Sequence, residues 1–161
     1  MSYDIYIGEA KVESNVEDDG EYYSRWVVDA HLEKNAPNFK GDTFTENENH
    51  RHPGYSQWAK FCRKNGLYSF FFNEDNGLMR RHPGCFLLKK EHLIFFKDKL
   101  NELEKRDKRP AGLDERYIKN EFADIPDGEE TTSYDKVRLI WLVWWTEWAL
   151  KNCKHPAIYN R

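Results

Sequence analysis

The sequence has few of the residues and runs that identify secreted, membrane and metal-binding proteins. Its three cysteines, Cys62, Cys85 and Cys153, cannot all pair within one chain and form no Cys-x-x-Cys motif, which favours a reduced, cytosolic setting. No apolar run approaches the roughly 18 residues of a membrane span, and the start of the chain lacks the basic and apolar regions of a signal peptide. We therefore expect a cytoplasmic protein that has no contact with membranes.

The short motifs of the common enzyme classes are also missing. The sequence contains no G-x-S-x-G, H-E-x-x-H, G-x-x-x-x-G-K-[ST] or G-x-G-x-x-G motif, so we predict no catalytic residue and no cofactor. Cys62 and Cys85 leave a thiol nucleophile open, although a free cysteine is more often a buried apolar residue. Several histidines and cysteines have ligand-like spacing, but structural zinc is often announced by Cys-x-x-Cys pairs, and we predict no metal site.

The composition indicates one folded domain with an uneven charge distribution. A chain of 161 residues with 39% hydrophobic residues is long enough for a single core, and we predict one domain over residues 1–161. The first 50 residues carry a net charge of −8, residues 51–110 carry +7 and residues 111–161 carry −2, within a total of −3. The basic middle segment can attract an acidic partner, or the charges can simply solvate separate faces.

Alternating apolar residues predict strands near the N-terminus. Residues 3–7 and 22–32 alternate with a period of two, and the Asp19-Gly20 pair between them is typical of a hairpin turn. We therefore expect an antiparallel hairpin whose two strands are joined by an acidic, turn-rich stretch at 14–20. The aromatic run at 67–72 predicts a further strand, with residues 85–88 paired beside it.

Apolar residues at helical spacing predict several helices in the rest of the chain. Residues 56–65, 89–108 and 114–123 are expected to form three of them. The last helix, from a cap at Thr132 or Ser133 to about Asn152, is apolar nearly all round, which is typical of a core helix or an interface. The predicted fold is α+β, with an N-terminal antiparallel hairpin or sheet packed against several helices and a long Trp-rich C-terminal core helix.

Two identical tetrapeptides, Arg-His-Pro-Gly at 51–54 and at 81–84, predict rigid turns that present basic side chains. Arginine has a planar set of donors that suits phosphate or carboxylate. The predicted site for an anion, a nucleotide or an acidic partner consists of Arg51, His52, Arg80, Arg81 and His82. Two solvated turns with no ligand are the alternative interpretation, and a small hydrolase or nuclease that uses His52 and His82 is a further one.

The two ends of the chain resemble a known group of proteins. The opening Met-Ser-Tyr-Asp-Ile-Tyr-Ile-Gly and the closing Leu-Ile-Trp to Trp-Ala-Leu-Lys-Asn-Cys segment are similar to those of small uncharacterised proteins encoded by bacteriophages. The resemblance carries no motif with a known role. It implies action inside a bacterial host cell, as an accessory protein that binds a host factor and modulates or blocks it.

Taken together, the patterns favour a non-catalytic interaction protein that binds a protein partner. Tryptophan, tyrosine and arginine are the usual anchors of protein interfaces. The predicted interface residues are Tyr22, Tyr23, Trp58, Trp141, Trp145 and Trp148. A homodimer contact through the Trp-rich helix is an alternative. A nucleotide or single-stranded nucleic acid held by the basic, aromatic middle segment is another.

Overall fold

The described part of the chain forms five strands, four α-helices and a 3-10 turn. The structure is a computed structural model that describes residues 5–18, 20–29, 50–51, 55–80, 84–116, 125–126 and 128–160. The strands are β1 (Ile5–Asp18), β2 (Glu21–Asp29), β3 (His50–Arg51), β4 (Gly84–Leu87) and β5 (Pro156–Asn160). The helices are α1 (Tyr55–Lys64), α2 (Tyr68–Phe72), α3 (Lys90–Arg106) and α4 (Tyr134–Asn152), and the 3-10 turn is Leu78–Arg80. The predicted α+β class is confirmed.

The sheet is antiparallel throughout, in the order β2-β1-β5-β4, and β3 pairs with the start of β1. The predicted hairpin is confirmed, with Gly20 at φ 81° in its turn, a conformation that glycine adopts without strain. The acidic stretch predicted as turn is strand instead. β1 runs to Asp18, with a shift of register between Glu13 and Val16 that accommodates it. Residues 30–32 and 117–123 of the predicted elements lie outside the described residues.

Strand β5 was not predicted, although it lies between β1 and β4 and joins them. Its register places Ile158 opposite both Ile7 and Phe86. Ala157, Ile158 and Tyr159 are all buried, so the strand shows no alternation of apolar and polar residues. A strand of five residues that is covered on both faces carries little periodic signal.

The predicted strand at 67–72 is wrong, because this segment forms helix α2. Gly66, at φ 69°, follows the end of α1, and the carbonyl oxygen of Leu67 accepts hydrogen bonds from the amides of Phe70 and Phe71. Leu67 and Phe71, four residues apart, are both fully buried, whereas Tyr68 between them is exposed, as expected for one face of a helix. Strand β4 consequently pairs with β5 instead.

Helix α4 is the centre of the core, as predicted. Trp141, Leu142 and Trp145 are 0% exposed, and α3 packs along the helix. Ser133 is the N-cap, and its hydroxyl oxygen accepts a hydrogen bond from the backbone amide of Lys136 at 3.3 Å. None of the helices in the described ranges is sufficiently long and apolar to cross a bilayer.

A glycine in the turn after α2 provides a test of this packing. A Cβ atom at Gly77 would lie against the backbone of Asn73 and 2.8 Å from the carbonyl oxygen of Phe71. We expect Gly77→Ala to lower the free energy of unfolding by about 2–4 kcal/mol in urea titrations. Gly112→Ala is the control. Its Cβ would meet Thr132 at an ordinary 3.4 Å, so a change below about 1 kcal/mol is expected. Equal effects of the two substitutions would contradict the packing described.

Candidate functional site

The predicted anion site cannot be examined in the structure. His52, Arg81 and His82 lie outside the described residues, and so do the side chains of Arg51 in β3 and Arg80 in the 3-10 turn. The site therefore stays a prediction.

Three of the tryptophans predicted to form an interface lie inside the core. Trp58 is 1% exposed, and Trp141 and Trp145 are 0% exposed. Large rings gain most when they are removed from water, and α4 is covered on nearly every side. In the described structure these three rings therefore pack within the core and present little surface to a partner. Trp148 is partly buried against Trp145, at a ring distance of 5.4 Å; the side chains of Tyr22 and Tyr23 lie outside the described residues.

A cleft of about 360 Å³ lies between α1 and the first turns of α4, which is within the size range of small-ligand sites. Its described apolar lining consists of Phe61, Leu113, Ile125 and Tyr134. Its described charged lining consists of the basic Lys60, Lys64 and Arg138 and the acidic Glu130 and Asp135. The exposed side chains of α1, including Gln57, form a rim that is open to solvent.

Arg138 is the most unusual residue of the cleft, because its guanidinium is buried among aromatic rings. Its Cζ lies 4.7 Å from the ring centroid of Tyr134, 5.2 Å from that of Phe61 and 5.9 Å from that of Trp58. The side chain is 14% exposed, and burial lowers the pKa of Arg138. Arginine nevertheless stays charged at neutral pH. Within the described residues, the guanidinium makes no hydrogen bond and has one ion pair, with Asp135 at 3.6 Å.

Asp135 does not approach Arg138 more closely because other groups hold its carboxylate. One of its oxygens, Oδ2, accepts a hydrogen bond from Asn65 Nδ2 at 3.0 Å and lies 3.6 Å from Lys64 Nζ. The ion pair with Arg138 at 3.6 Å is too long for a hydrogen bond. The carboxylate is thus turned toward α1, and none of the residues that the structure describes accepts a hydrogen bond from Arg138.

Asn65, which holds Asp135, is itself fixed by the ends of two other helices. It is 4% exposed. Its amide nitrogen also donates to the carbonyl oxygen of Phe61 at 2.9 Å, and its amide oxygen accepts from Arg106 at 2.7 Å. Hydrogen bonds of this kind tie the C-terminal ends of α1 and α3 to the first turn of α4, so the geometry of the cleft is set before any ligand arrives.

Two arginine–aspartate pairs support the loops on the other side of the cleft. Arg109 binds Asp107 at 2.7 Å and Glu130 at 3.0 Å, and its hydrogen bonds hold the pKa of Asp107 well below its usual range. Arg116 binds Asp114 at 2.9 Å and lowers the pKa of that carboxyl in the same way. Since Glu130 already has a partner in Arg109, it does not neutralise Arg138.

The described histidines outside the cleft have local partners. His92 accepts a hydrogen bond at Nδ1 from the Lys89 amide, and His155 lies 3.2 Å from Glu9. Across the described ranges, no group of three or more histidine, cysteine or carboxylate side chains could hold a metal ion.

The three thiols lie in surroundings that keep them protonated. Burial raises the pKa of the Cys62 thiol, that of Cys85 to about 11 and that of Cys153 to about 12. The thiolate is the reactive form, so the structure gives no support to a cysteine nucleophile.

A second cavity, of about 290 Å³, lies between α2, β4 and the start of α3. Phe70 and Phe86 line it together with His92, whose ring meets Phe70 edge-on at 5.6 Å. The one hydrogen bond that His92 makes through Nδ1 caps α3. The other charged residue of its described lining, Lys89, is exposed to solvent, whereas Arg138 is surrounded by rings.

The sequence matches no protein-family model, no curated protein and no solved structure in comparisons with each. The resemblance of the chain ends to bacteriophage proteins thus stays a prediction, and the function has to be argued from the cleft itself.

Sequence reasoning missed Arg138, although the sequence contains a signal for it. A charged residue between Val137 and Leu139, in a helix that is apolar nearly all round, has to lie in or near the core. Buried charges are costly unless they have partners, and the pattern therefore indicates Arg138 as a candidate for a functional site.

The reactivity of the three thiols tests whether their surroundings keep them protonated. At pH 8 we expect Cys85 and Cys153 to react with a disulfide reagent about 100-fold or more slowly than free cysteine, because their thiolate fractions are small. Cys62 should be slower still, and unfolding in urea should release all three. A thiol in the folded protein that reacts as fast as free cysteine would contradict these surroundings.

The free energy of unfolding of an Arg138 variant tests whether this residue stabilises the fold. We expect the free energy of unfolding of Arg138→Met to equal or exceed that of the wild type by up to about 2 kcal/mol, because a desolvated charge without hydrogen bonds is removed. Arg109→Met is the matched control. It should lose about 2 kcal/mol, since Asp107 and Glu130 lose their donor. A loss above about 2 kcal/mol for Arg138→Met would show that the ring contacts of Arg138 stabilise the fold.

Proposed function

We propose that this protein is a non-catalytic binding protein that recognises a partner protein by taking an acidic group of the partner into the cleft between α1 and α4. The observation that supports the proposal is the guanidinium of Arg138, which is buried among rings with unused donors. A buried charge of this kind gains its missing hydrogen bonds when an acidic ligand arrives.

The form of the cleft supports a macromolecular partner. Gln57, Lys60 and Lys64 are exposed and lie along one side of α1, so a side chain that projects from another protein can enter without displacing any of the described helices or strands. Arginine and aromatic residues dominate the binding energy of protein interfaces. Arg138 and Tyr134 are an arginine and an aromatic residue of this kind, and they are in contact at the cleft.

The charges of the cleft disfavour a nucleic acid at this position. Glu130 and Asp135 are part of the lining, and the whole chain has a net charge of −3. A polyanion would meet both carboxylates, and proteins that bind nucleic acids usually present a continuous basic surface. The proposed partner is a protein, and the resemblance to bacteriophage proteins makes a factor of a bacterial host cell the first place to look.

Capture experiments with matched arginine variants test the proposal. Tagged wild type, Arg138→Met and Arg63→Met are incubated with bacterial lysate, and the retained proteins are identified by mass spectrometry. Arg63 is an exposed arginine of α1 that binds Tyr68 at 3.2 Å, away from the cleft. We expect a partner retained by the wild type and by Arg63→Met but not by Arg138→Met.

The partner is then purified and its affinity is measured by calorimetry. Loss of Arg138 should weaken binding about 30-fold or more, as is typical of a dominant interface residue. Identical retention by all three proteins would contradict the proposal, and so would turnover of nucleotide or DNA by the purified protein.

A further inference from the structure

The described lining of the cleft contains acidic as well as basic side chains, and both affect which acidic ligand can bind there. We propose, on the basis of the function proposed above, that Arg138 binds a single carboxylate on an apolar stem and that Asp135 is the specificity residue that excludes doubly charged phosphates. The inference rests on the position of Asp135 at the edge of the unused donors of Arg138.

The donors of Arg138 suit a carboxylate that approaches from the cleft. A guanidinium offers a planar fork of N–H groups that matches the two oxygens of a carboxylate. The rings of Tyr134, Phe61 and Trp58 surround the Cζ atom at 4.7–5.9 Å. Since the guanidinium makes no hydrogen bond to a described residue and lies 3.6 Å from Asp135, its N–H groups can donate to a ligand that enters the cleft.

The charge of the ligand matters because two carboxylates, Asp135 and Glu130, are part of the cleft lining. A carboxylate ligand brings one negative charge near them. A phosphate monoester carries about −1.5 to −2 at pH 7, and it therefore meets a stronger repulsion from the same two carboxylates.

Any anion that binds Arg138 lies close to the carboxylate of Asp135. Its Oδ1 lies 3.6 Å from Arg138 Nη1, so any ligand on that guanidinium has the Asp135 carboxylate as a close neighbour. The hydrogen bond from Asn65 at 3.0 Å holds Asp135 in place. Repulsion rises with the charge of the ligand, and Asp135 therefore acts more strongly on a dianion than on a monoanion.

The apolar lining predicts what adjoins the carboxylate. Phe61, Leu113, Ile125 and Tyr134 line the cleft beside the charged groups. Ligand sites typically combine such apolar walls with a few polar groups that fix orientation. An acidic side chain flanked by an apolar one on the partner protein has this chemistry, and so has a small aryl carboxylic acid.

Four small probes test the inference on the wild-type protein. They are 3-phenylpropanoate, its neutral amide, phenyl phosphate with two charges, and methyl phenyl phosphate with one. Binding is followed by the ¹⁵N NMR signal of the Arg138 Nε–H group. We expect 3-phenylpropanoate to bind with a Kd on the order of a few mM. The amide and phenyl phosphate should bind at least 10-fold more weakly, and methyl phenyl phosphate should bind more tightly than phenyl phosphate.

Variants then assign the specificity to Asp135. Asp135→Asn should strengthen the binding of phenyl phosphate at least 10-fold and that of 3-phenylpropanoate by less. Glu147→Gln, which changes a carboxylate twelve residues further along α4, should leave the order of the probes unchanged. Arg138→Met should abolish the binding of every anionic probe. If Asp135→Asn fails to fold, the comparison of the two phosphates on the wild type still decides the role of charge.

The outcomes separate this inference from the proposed function. Equal affinity of the wild type for phenyl phosphate and 3-phenylpropanoate would overturn the inference, and so would equal binding of the acid and its amide.

If no probe binds while capture of a partner depends on Arg138, the carboxylate assignment fails and the proposed function stands. If 3-phenylpropanoate binds while no partner depends on Arg138, the cleft is a small-carboxylate site and the partner-protein function fails. A peptide with a glutamate beside a phenylalanine, measured in the same way, distinguishes the two sources of the carboxylate.

Discussion

Burial of α4 on nearly every side is the constraint on which the rest of the structure depends. Trp141, Leu142 and Trp145 lie at the centre of the core and are fully removed from water, and each such side chain contributes about 1.5–3 kcal/mol of transfer free energy. The helix leads directly into β5, which joins β1 to β4. The position of α4 therefore fixes the middle of the sheet as well as the helical layer.

The same burial places a charged residue in largely apolar surroundings. Arg138 belongs to α4, its side chain is 14% exposed, and a charge in such a position is costly unless it has partners. Asp135 is near enough to offset part of this cost, but Asn65 holds its carboxylate toward α1. Among the described residues, the guanidinium of Arg138 thus has one ion pair and no hydrogen bond, and the hydrogen bonds of Asn65 fix the helices around it. A preorganised site of this kind loses little conformational entropy when a ligand binds.

Local chemistry in the sequence predicted much of the fold. The hairpin of β1 and β2, the helices α1, α3 and α4 and the cap at Ser133 follow from periodicity, turn residues and capping, which act between near neighbours. Helix α2 and strand β5 did not follow. Both are short, and their form depends on what packs against them, so a run of aromatic or apolar residues is compatible with strand and helix alike.

The sequence by itself determined the α+β class, the acidic and basic segments and the apolar character of the last helix. The tertiary structure alone decided which tryptophans are buried and which side chains surround Arg138. Asn65 and Asp135 are 70 residues apart in the chain, and Asn65 and Arg106 are 41 residues apart; no periodic pattern relates them. Whether Arg138 is satisfied depends on the distances and orientations of groups brought together from α1, α3 and α4, and such three-dimensional relations exist only in the folded chain.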